Sequence, residues 1–139
     1  MPEKNNLIDN TSVLGYNLIM KRNKSLEDYL ECILLLSHEN EFVHRVDVAR
    51  GVGVSQPAVQ KAVKILQNQG YVECDGLHIY LTRAGENYAG QVYERHCTLT
   101  RFLQLLGVNG EDAERDACEI EHIISETTFE KIKLFLADK

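Results

Sequence analysis

Val46-Asp47-Val48-Ala49-Arg50-Gly51-Val52-Gly53-Val54-Ser55-Gln56-Pro57-Ala58-Val59-Gln60-Lys61-Ala62-Val63-Lys64-Ile65-Leu66-Gln67-Asn68 decides the fold. Its first seven residues read as a short helix, and Gly53-Val54 as a tight turn. Ser55 is placed to cap a second helix running to about Asn68. Pro57 falls in that helix's first turn, where a missing N–H costs little. Val54, Ala58, Val59, Ala62, Val63 and Leu66 recur at helical spacing and form a buried face. That leaves Ser55, Gln56, Pro57, Gln60, Lys61 and Lys64 toward solvent. Helix, small-residue turn, then a helix opening on Ser, Gln and Lys is the pattern of a helix-turn-helix, whose second helix reads the DNA major groove. Between Arg45 and Tyr71, Arg45, Arg50, Lys61 and Lys64 oppose only Asp47, a local net charge of +3.

Downstream, residues 70–74 and 77–81 alternate as strands about Asp75-Gly76, a hairpin signal. A recognition helix followed at once by a hairpin is a winged helix-turn-helix. Upstream, Ser25 reads as an N-cap, opening a helix to about His38 with Leu26, Tyr29, Leu30, Ile33, Leu34 and Leu36 as its apolar face. Beyond the wing, Thr82 caps a long helix to about Gly107, with Gly85 and Gly90 as tolerated interruptions and Val92, Leu99, Phe102, Leu103 and Leu106 as a stripe. A helix from about Glu111 to Ser125 and another from about Thr128 to Ala137 close the chain. Residues 1–24 read as an arm with a small apolar patch and a basic end, Lys21, Arg22 and Lys24.

Chemistry concentrates in Asp116-Ala117-Cys118-Glu119-Ile120-Glu121-His122. In a continuous helix, Cys118, Glu121 and His122 at i, i+3 and i+4 share one face, close enough for one ion to touch all three. Such an ion needs more ligands than one turn supplies. Asp28 and Glu31, also at i and i+3, offer carboxylates from the first helix, and His96 an imidazole from the long one. Taken alone, Asp28 and Glu31 are equally first-turn carboxylates favoured by the helix dipole, and Cys118 a buried thiol. Mixed O, N and S ligation suits a first-row divalent ion better than calcium or structural zinc.

The chain has 139 residues, 44% of them hydrophobic and 26% charged, enough for one good core. No apolar run is long enough for a membrane span and the N-terminus has no signal-peptide core, so a cytoplasmic protein is expected. The four cysteines lack CxxC spacing, and buried thiols are expected for most of them. A net charge of −6 argues against a protein that coats nucleic acid nonspecifically, but leaves room for an acidic dimer that needs a cation before it tolerates DNA.

Five pieces of the sequence, Leu26-Glu27-Asp28-Tyr29-Leu30-Glu31, Val54-Ser55-Gln56-Pro57-Ala58-Val59, Leu81-Thr82-Arg83-Ala84-Gly85, Arg95-His96 and Cys118-Glu119-Ile120-Glu121-His122-Ile123-Ile124-Ser125, resemble the iron- and manganese-dependent repressors typified by the diphtheria toxin repressor and the manganese transport regulator. The likeness runs from about Ser25 to Leu136. It implies a primary metal site of Asp28, Glu121 and His122 with the side chain or carbonyl of Cys118, and a neighbouring site including Glu31 and His96, with Glu121 as a bridge. Asp28 and Glu31 follow the manganese pattern, whereas Cys118 follows the iron pattern, where the manganese type carries a glutamate. Thr100 stands where iron repressors carry a further glutamate, and the chain stops without their SH3-like domain.

The expected architecture is mostly α: an N-terminal arm (1–24), a winged helix-turn-helix DNA-binding domain (25–82) and a helical metal-binding and dimerisation domain (83–139). The expected function is a homodimeric repressor of metal homeostasis that binds double-stranded operator DNA when Mn(II) or Fe(II) is bound, with Zn(II), Co(II) or Ni(II) as stand-ins in vitro. Alternatives are a metal-independent winged-helix regulator and, as a remote third, a small metal-dependent hydrolase.

Overall fold

The computed structural model describes residues 23–139. The apolar patch and basic end of the arm, up to Arg22, lie outside them. Eight elements follow in order: α1 (Lys24–Glu39), α2 (Arg45–Val52), α3 (Gln56–Asn68), β1 (Val72–Asp75), β2 (His78–Leu81), α4 (Arg83–Leu105), α5 (Gly110–Ile120) and α6 (Glu126–Ala137). The winged helix-turn-helix and the three helices after it are as the sequence predicts. Among the described residues, no helix is long and apolar enough to cross a membrane.

The boundaries follow local chemistry. α1 opens two residues earlier than expected, because Asn23 rather than Ser25 caps it, its side chain accepting from the Leu26 N–H. Ser55 and Thr82 cap α3 and α4 as read, accepting from the backbone N–H of Ala58 and Gly85. The hairpin turn is displaced by one residue: Asp75 still pairs with His78, so the loop is Gly76-Leu77, with Gly76 at φ 63. α4 stops at Leu105 rather than near Gly107, and Leu106, assigned to its apolar stripe, is 62% exposed. None of the four cysteines is fully buried: Cys97 is exposed, and Cys32, Cys74 and Cys118 are half-buried.

One core joins α1, the helix-turn-helix, the wing and the start of α4. Leu30 and Ile33 of α1 pack with Val48, Val59, Val63, Leu66, Val72, Ile79 and Ala89, so α1 supports the helix-turn-helix, the wing and the start of α4 together. The segment before α2 is stitched to the wing, with Ile79 N–H donating to the Val43 carbonyl and Val43 N–H to His78 Nδ1. α4 packs against α1, α5 and α6. Apolar side chains at the far end of the helical half, Leu105, Leu106, Ile123, Leu134 and Phe135, remain exposed.

Gly85 is not a tolerated interruption. A Cβ there would meet the Tyr71 carbonyl oxygen at 1.9 Å, whereas a Cβ on Gly90 would meet nothing within 4 Å. Gly85→Ala is therefore expected to destabilise the protein by about 1–3 kcal/mol through forced displacement of the wing's entry. Gly90→Ala should be neutral or stabilise by roughly 0.5–1 kcal/mol, from the lower entropy of its unfolded chain. Urea unfolding of the two variants checks this, and equal effects would contradict the close approach.

Candidate metal centre and DNA-facing helix

α5 does not continue to Ser125. It ends at Ile120, and the backbone then tightens: Glu121 N–H still bonds four residues back, to Ala117, but His122 N–H reaches Glu119 and Ile123 N–H reaches Ile120. Such three-residue spacing is how helices commonly end. Cys118 and Glu121 join His96 of α4, with donor atoms of the three all within 4.8 Å of one another. His122 is carried to α1, where Nδ1 lies 2.6 Å from Glu27 Oε1 and Nε2 lies 3.1 Å from Asp28 Oδ1.

The two groupings adjoin. Asp28, Glu31 and Cys118 line one cavity beside α1, and Glu31 and His96 line the next. His96 Nδ1 is 2.9 Å from Glu121 Oε1. Arg95 holds the turn from behind: its guanidinium donates to the Ile124 carbonyl, pairs with Glu126 and lies over the Phe129 ring.

Glu27, which sequence reasoning passed over, is fully buried and supports the site from α1. Its Oε2 accepts from the Tyr88 hydroxyl at 2.5 Å, and its Oε1 accepts from His122 Nδ1. Carboxylates only accept, so with Glu27 on Nδ1 and Asp28 on Nε2 the ring is held as the imidazolium, donating from both nitrogens. Lys24, also passed over, places Nζ 2.8 Å from Asp28 Oδ2. The i, i+4 spacing of Lys24 and Asp28 was a legible signal. Nothing in the sequence separated Glu27 from an ordinary first-turn acid.

Burial and charge act on these groups together. Burial works to lower the His122 pKa, but its contacts with Asp28 and Glu27 prevail and push it up to about 9. Burial, reinforced by the Glu121 charge, pushes the Glu31 carboxyl up to about 7. His96 is raised by its bond to Glu121, against burial. Burial and the charges of Glu121 and Asp28 raise the Cys118 thiol.

The residues fit a divalent cation. Glu121 Oε2 is buried without a hydrogen-bond partner, and His122 Nε2 is buried against the Asp28 carboxylate at 3.1 Å. An orphaned buried carboxylate oxygen is costly, and a divalent cation would satisfy it. His96, Cys118 and Glu121 thus form a cluster able to hold a divalent metal.

On the other side of the molecule, Ser55, Gln56, Pro57, Gln60, Lys61 and Lys64 are all exposed along α3 and its cap, while Val59, Ala62, Val63 and Leu66 face the core. Arg45 Nε donates to Gln60 Oε1, fixing that side chain against α2. The structure therefore presents a polar, basic helix face beside a wing.

A winged helix-turn-helix joined through a single helix to a carboxylate, imidazole and thiol cluster defines a metal-dependent DNA-binding regulator. The chain belongs to the iron-dependent repressor family, matching its N-terminal DNA binding domain over residues 23–77 and its metal binding and dimerisation domain over residues 82–138. It is 40% identical over 115 residues to the transcriptional regulator MntR of Escherichia coli O157:H7, covering 82% of this chain and 74% of that one. Among solved structures it is similar to the metal-dependent transcriptional regulator MtsR (TM-score 0.76, 29% identity, 83% of this chain) and to the manganese regulator SloR (TM-score 0.73, 31% identity, 84% of this chain). It spans 54% of the length of each of those two chains. The family consists of metal-dependent transcriptional repressors of metal homeostasis rather than enzymes, which sets aside the hydrolase and metal-independent alternatives.

Metal ligands must be deprotonated, so uptake of the ion displaces the His122 proton. With His122 at about 9 and Glu31 at about 7, His122 is mostly protonated and Glu31 mostly ionised at pH 8. Saturating Mn(II) at pH 8 in weak buffer should release about one proton per chain more from the native protein than from His122→Gln. Equal release, read by a pH indicator, would contradict His122 as a ligand.

Proposed function

We infer that the chain acts as a homodimeric repressor whose operator binding is switched on by Mn(II) or Fe(II). The ion would be held by Asp28, Glu31, His96, Cys118, Glu121 and His122, and DNA would be read by Ser55, Gln56, Pro57, Gln60, Lys61 and Lys64. The observation that carries this reading is the buried, unpartnered Glu121 Oε2 beside His96 and Cys118, with His122 set against Asp28 at the junction of α1 with the helical half. When bound, a divalent cation supplies there the positive charge and the partner that the Glu121 oxygen lacks. Asp28 and Glu31 contribute from the helix that underlies the DNA-reading unit, whereas His96, Cys118 and Glu121 contribute from the helical half. Holding both sets narrows the range of positions open to α3 relative to the rest of the dimer. Two α3 helices must sit about one DNA turn apart to enter successive major grooves, so a narrower range raises affinity.

The exposed Leu105, Leu106, Ile123, Leu134 and Phe135 support a second copy packing on the helical half. The domain division at residues 24 and 82 accords with α1 and the wing forming one unit and α4 to α6 the other.

The choice of metal rests on a mixed donor set. Three carboxylates, Asp28, Glu31 and Glu121, favour hard Mn(II), while the Cys118 sulfur draws the site toward Fe(II) and, in vitro, toward Zn(II), Co(II) or Ni(II). The likeness to a manganese regulator, SloR, supports Mn(II) as a physiological effector.

The test uses a duplex selected from a random pool by the metal-loaded protein. Chelator should weaken its binding, and anaerobic Mn(II) and Fe(II) should restore it. Replacing the cysteine by Cys118→Glu should shift the preference toward Mn(II). Binding indifferent to chelator would overturn the reading, and an unaltered metal preference would show that the Cys118 sulfur is not the selector. On the same duplex, Lys61→Ala should weaken affinity and lower the salt-dependence slope by about 1. An unchanged slope would remove Lys61 from the DNA contact.

A further inference from the structure

A continuous line of contacts leaves the candidate metal site in the direction of the wing. Glu27 is fully buried but stands outside the ligand set, and its two oxygens face opposite ways. Oε1 accepts from His122 Nδ1 at 2.6 Å, and Oε2 accepts from the Tyr88 hydroxyl at 2.5 Å. Tyr88 lies on α4, and its ring meets the Tyr71 ring edge-on, with centroids 5.0 Å apart.

Tyr71 is the residue through which α3 passes into the wing. Its N–H donates to the Leu66 carbonyl in the last turns of α3, and its own carbonyl accepts from the Thr82 N–H at the start of α4. The same carbonyl lies where a Cβ on Gly85 would be, 1.9 Å away. Tyr71 is therefore tied on one side to the recognition helix and on the other to α4. A shift of the Tyr88 ring has little room to be absorbed before it reaches both α3 and β1.

We propose that Glu27 and Tyr88 are positioning residues that transmit the state of the metal site, through Tyr71, to the wing and the recognition helix. The inference rests on the reading of His122 as a metal ligand. A carboxylate is a rigid plane, so a displacement of the imidazole on one oxygen displaces the phenol on the other. The hydroxyl of Tyr88 makes this link: a phenylalanine there would fill the same space against Tyr71 and remove the bond to Glu27 Oε2. Rigid movement of α1, the other route between the two ends, does not depend on that hydroxyl. The two routes can therefore be separated.

Amide hydrogen exchange of the full chain, with Mn(II) and with chelator, tests the relay. In the native protein, Mn(II) should slow exchange both at residues 118–125 and at residues 69–82. Tyr88→Phe should keep the slowing at 118–125, with Mn(II) affinity altered by less than about fivefold, and lose at least about fivefold of the slowing at 69–82. Tyr71→Leu, which leaves the Glu27–Tyr88 bond in place, should show the same loss, and it decides the matter alone if Tyr88→Phe does not fold. A merely structural role for either tyrosine would lower stability without dividing the two responses. Full native response at 69–82 in either folded variant, or no such response in the native protein, overturns the relay while leaving the metal site intact. Absence of Mn(II)-dependent slowing at 118–125 in the native protein overturns the metal reading and the relay together.

Discussion

Glu27 and Glu121 have no exposed surface, and each meets a histidine: Glu27 with His122 at 2.6 Å, Glu121 with His96 at 2.9 Å. Removing such groups from water costs several kcal/mol per ion unless partners replace the lost hydration. Glu27 is met on both oxygens, by His122 and Tyr88, whereas Glu121 is met on one only. The second Glu121 oxygen stays unpartnered, with His96 and Cys118 close by, and the second His122 nitrogen faces Asp28. A divalent cation would supply the partner that Glu121 lacks, and neighbouring residues hold the carboxylate and the imidazole in place. Arg95 fixes the turn that bears them, and Tyr88 orients Glu27 behind them.

α1 gives this local imbalance a consequence at a distance. One face of the helix carries Leu30 and Ile33 into the core shared by α2, α3 and the wing. The same sixteen-residue element carries Glu27, Asp28 and Glu31 to the turn after α5. A ligand that bridges Asp28 to the residues of α4 and α5 therefore acts on the support of the DNA-reading helix rather than on that helix directly. Regulation and recognition occupy separate residues, which is why the exposed polar face of α3 contains none of the candidate ligands.

Much of this was legible in the sequence, and the physical reasons divide cleanly. The helix-turn-helix depends on local signals, an apolar spacing and the Ser55 cap with Pro57 behind it, and it forms where they place it. The six candidate ligands were visible as residue types at helical spacing, with the family resemblance joining the three segments. Their partners were not visible, because they depend on where α5 ends, and the tightened turn after Glu121 sets His122 against Glu27 and Asp28 of α1. Glu27 and Gly85 were misjudged for the same kind of reason. Each looks ordinary in its own helix, and only a partner distant in sequence, His122 for one and Tyr71 for the other, makes its identity matter.

The central claim is that a divalent ion joins α1 to the helical half and thereby sets DNA affinity. Asp28→Asn tests it most directly, because it removes a charge from the α1 side of the site and leaves His96, Cys118 and Glu121 in place. The quantity to measure is the ratio of duplex affinities with and without Mn(II), alongside the affinity for Mn(II) itself. The account predicts that Asp28→Asn weakens Mn(II) binding by at least about tenfold and that, even at saturating Mn(II), the gain in duplex affinity is largely lost. A variant that binds Mn(II) and responds to it on DNA as the native protein does would contradict the claim.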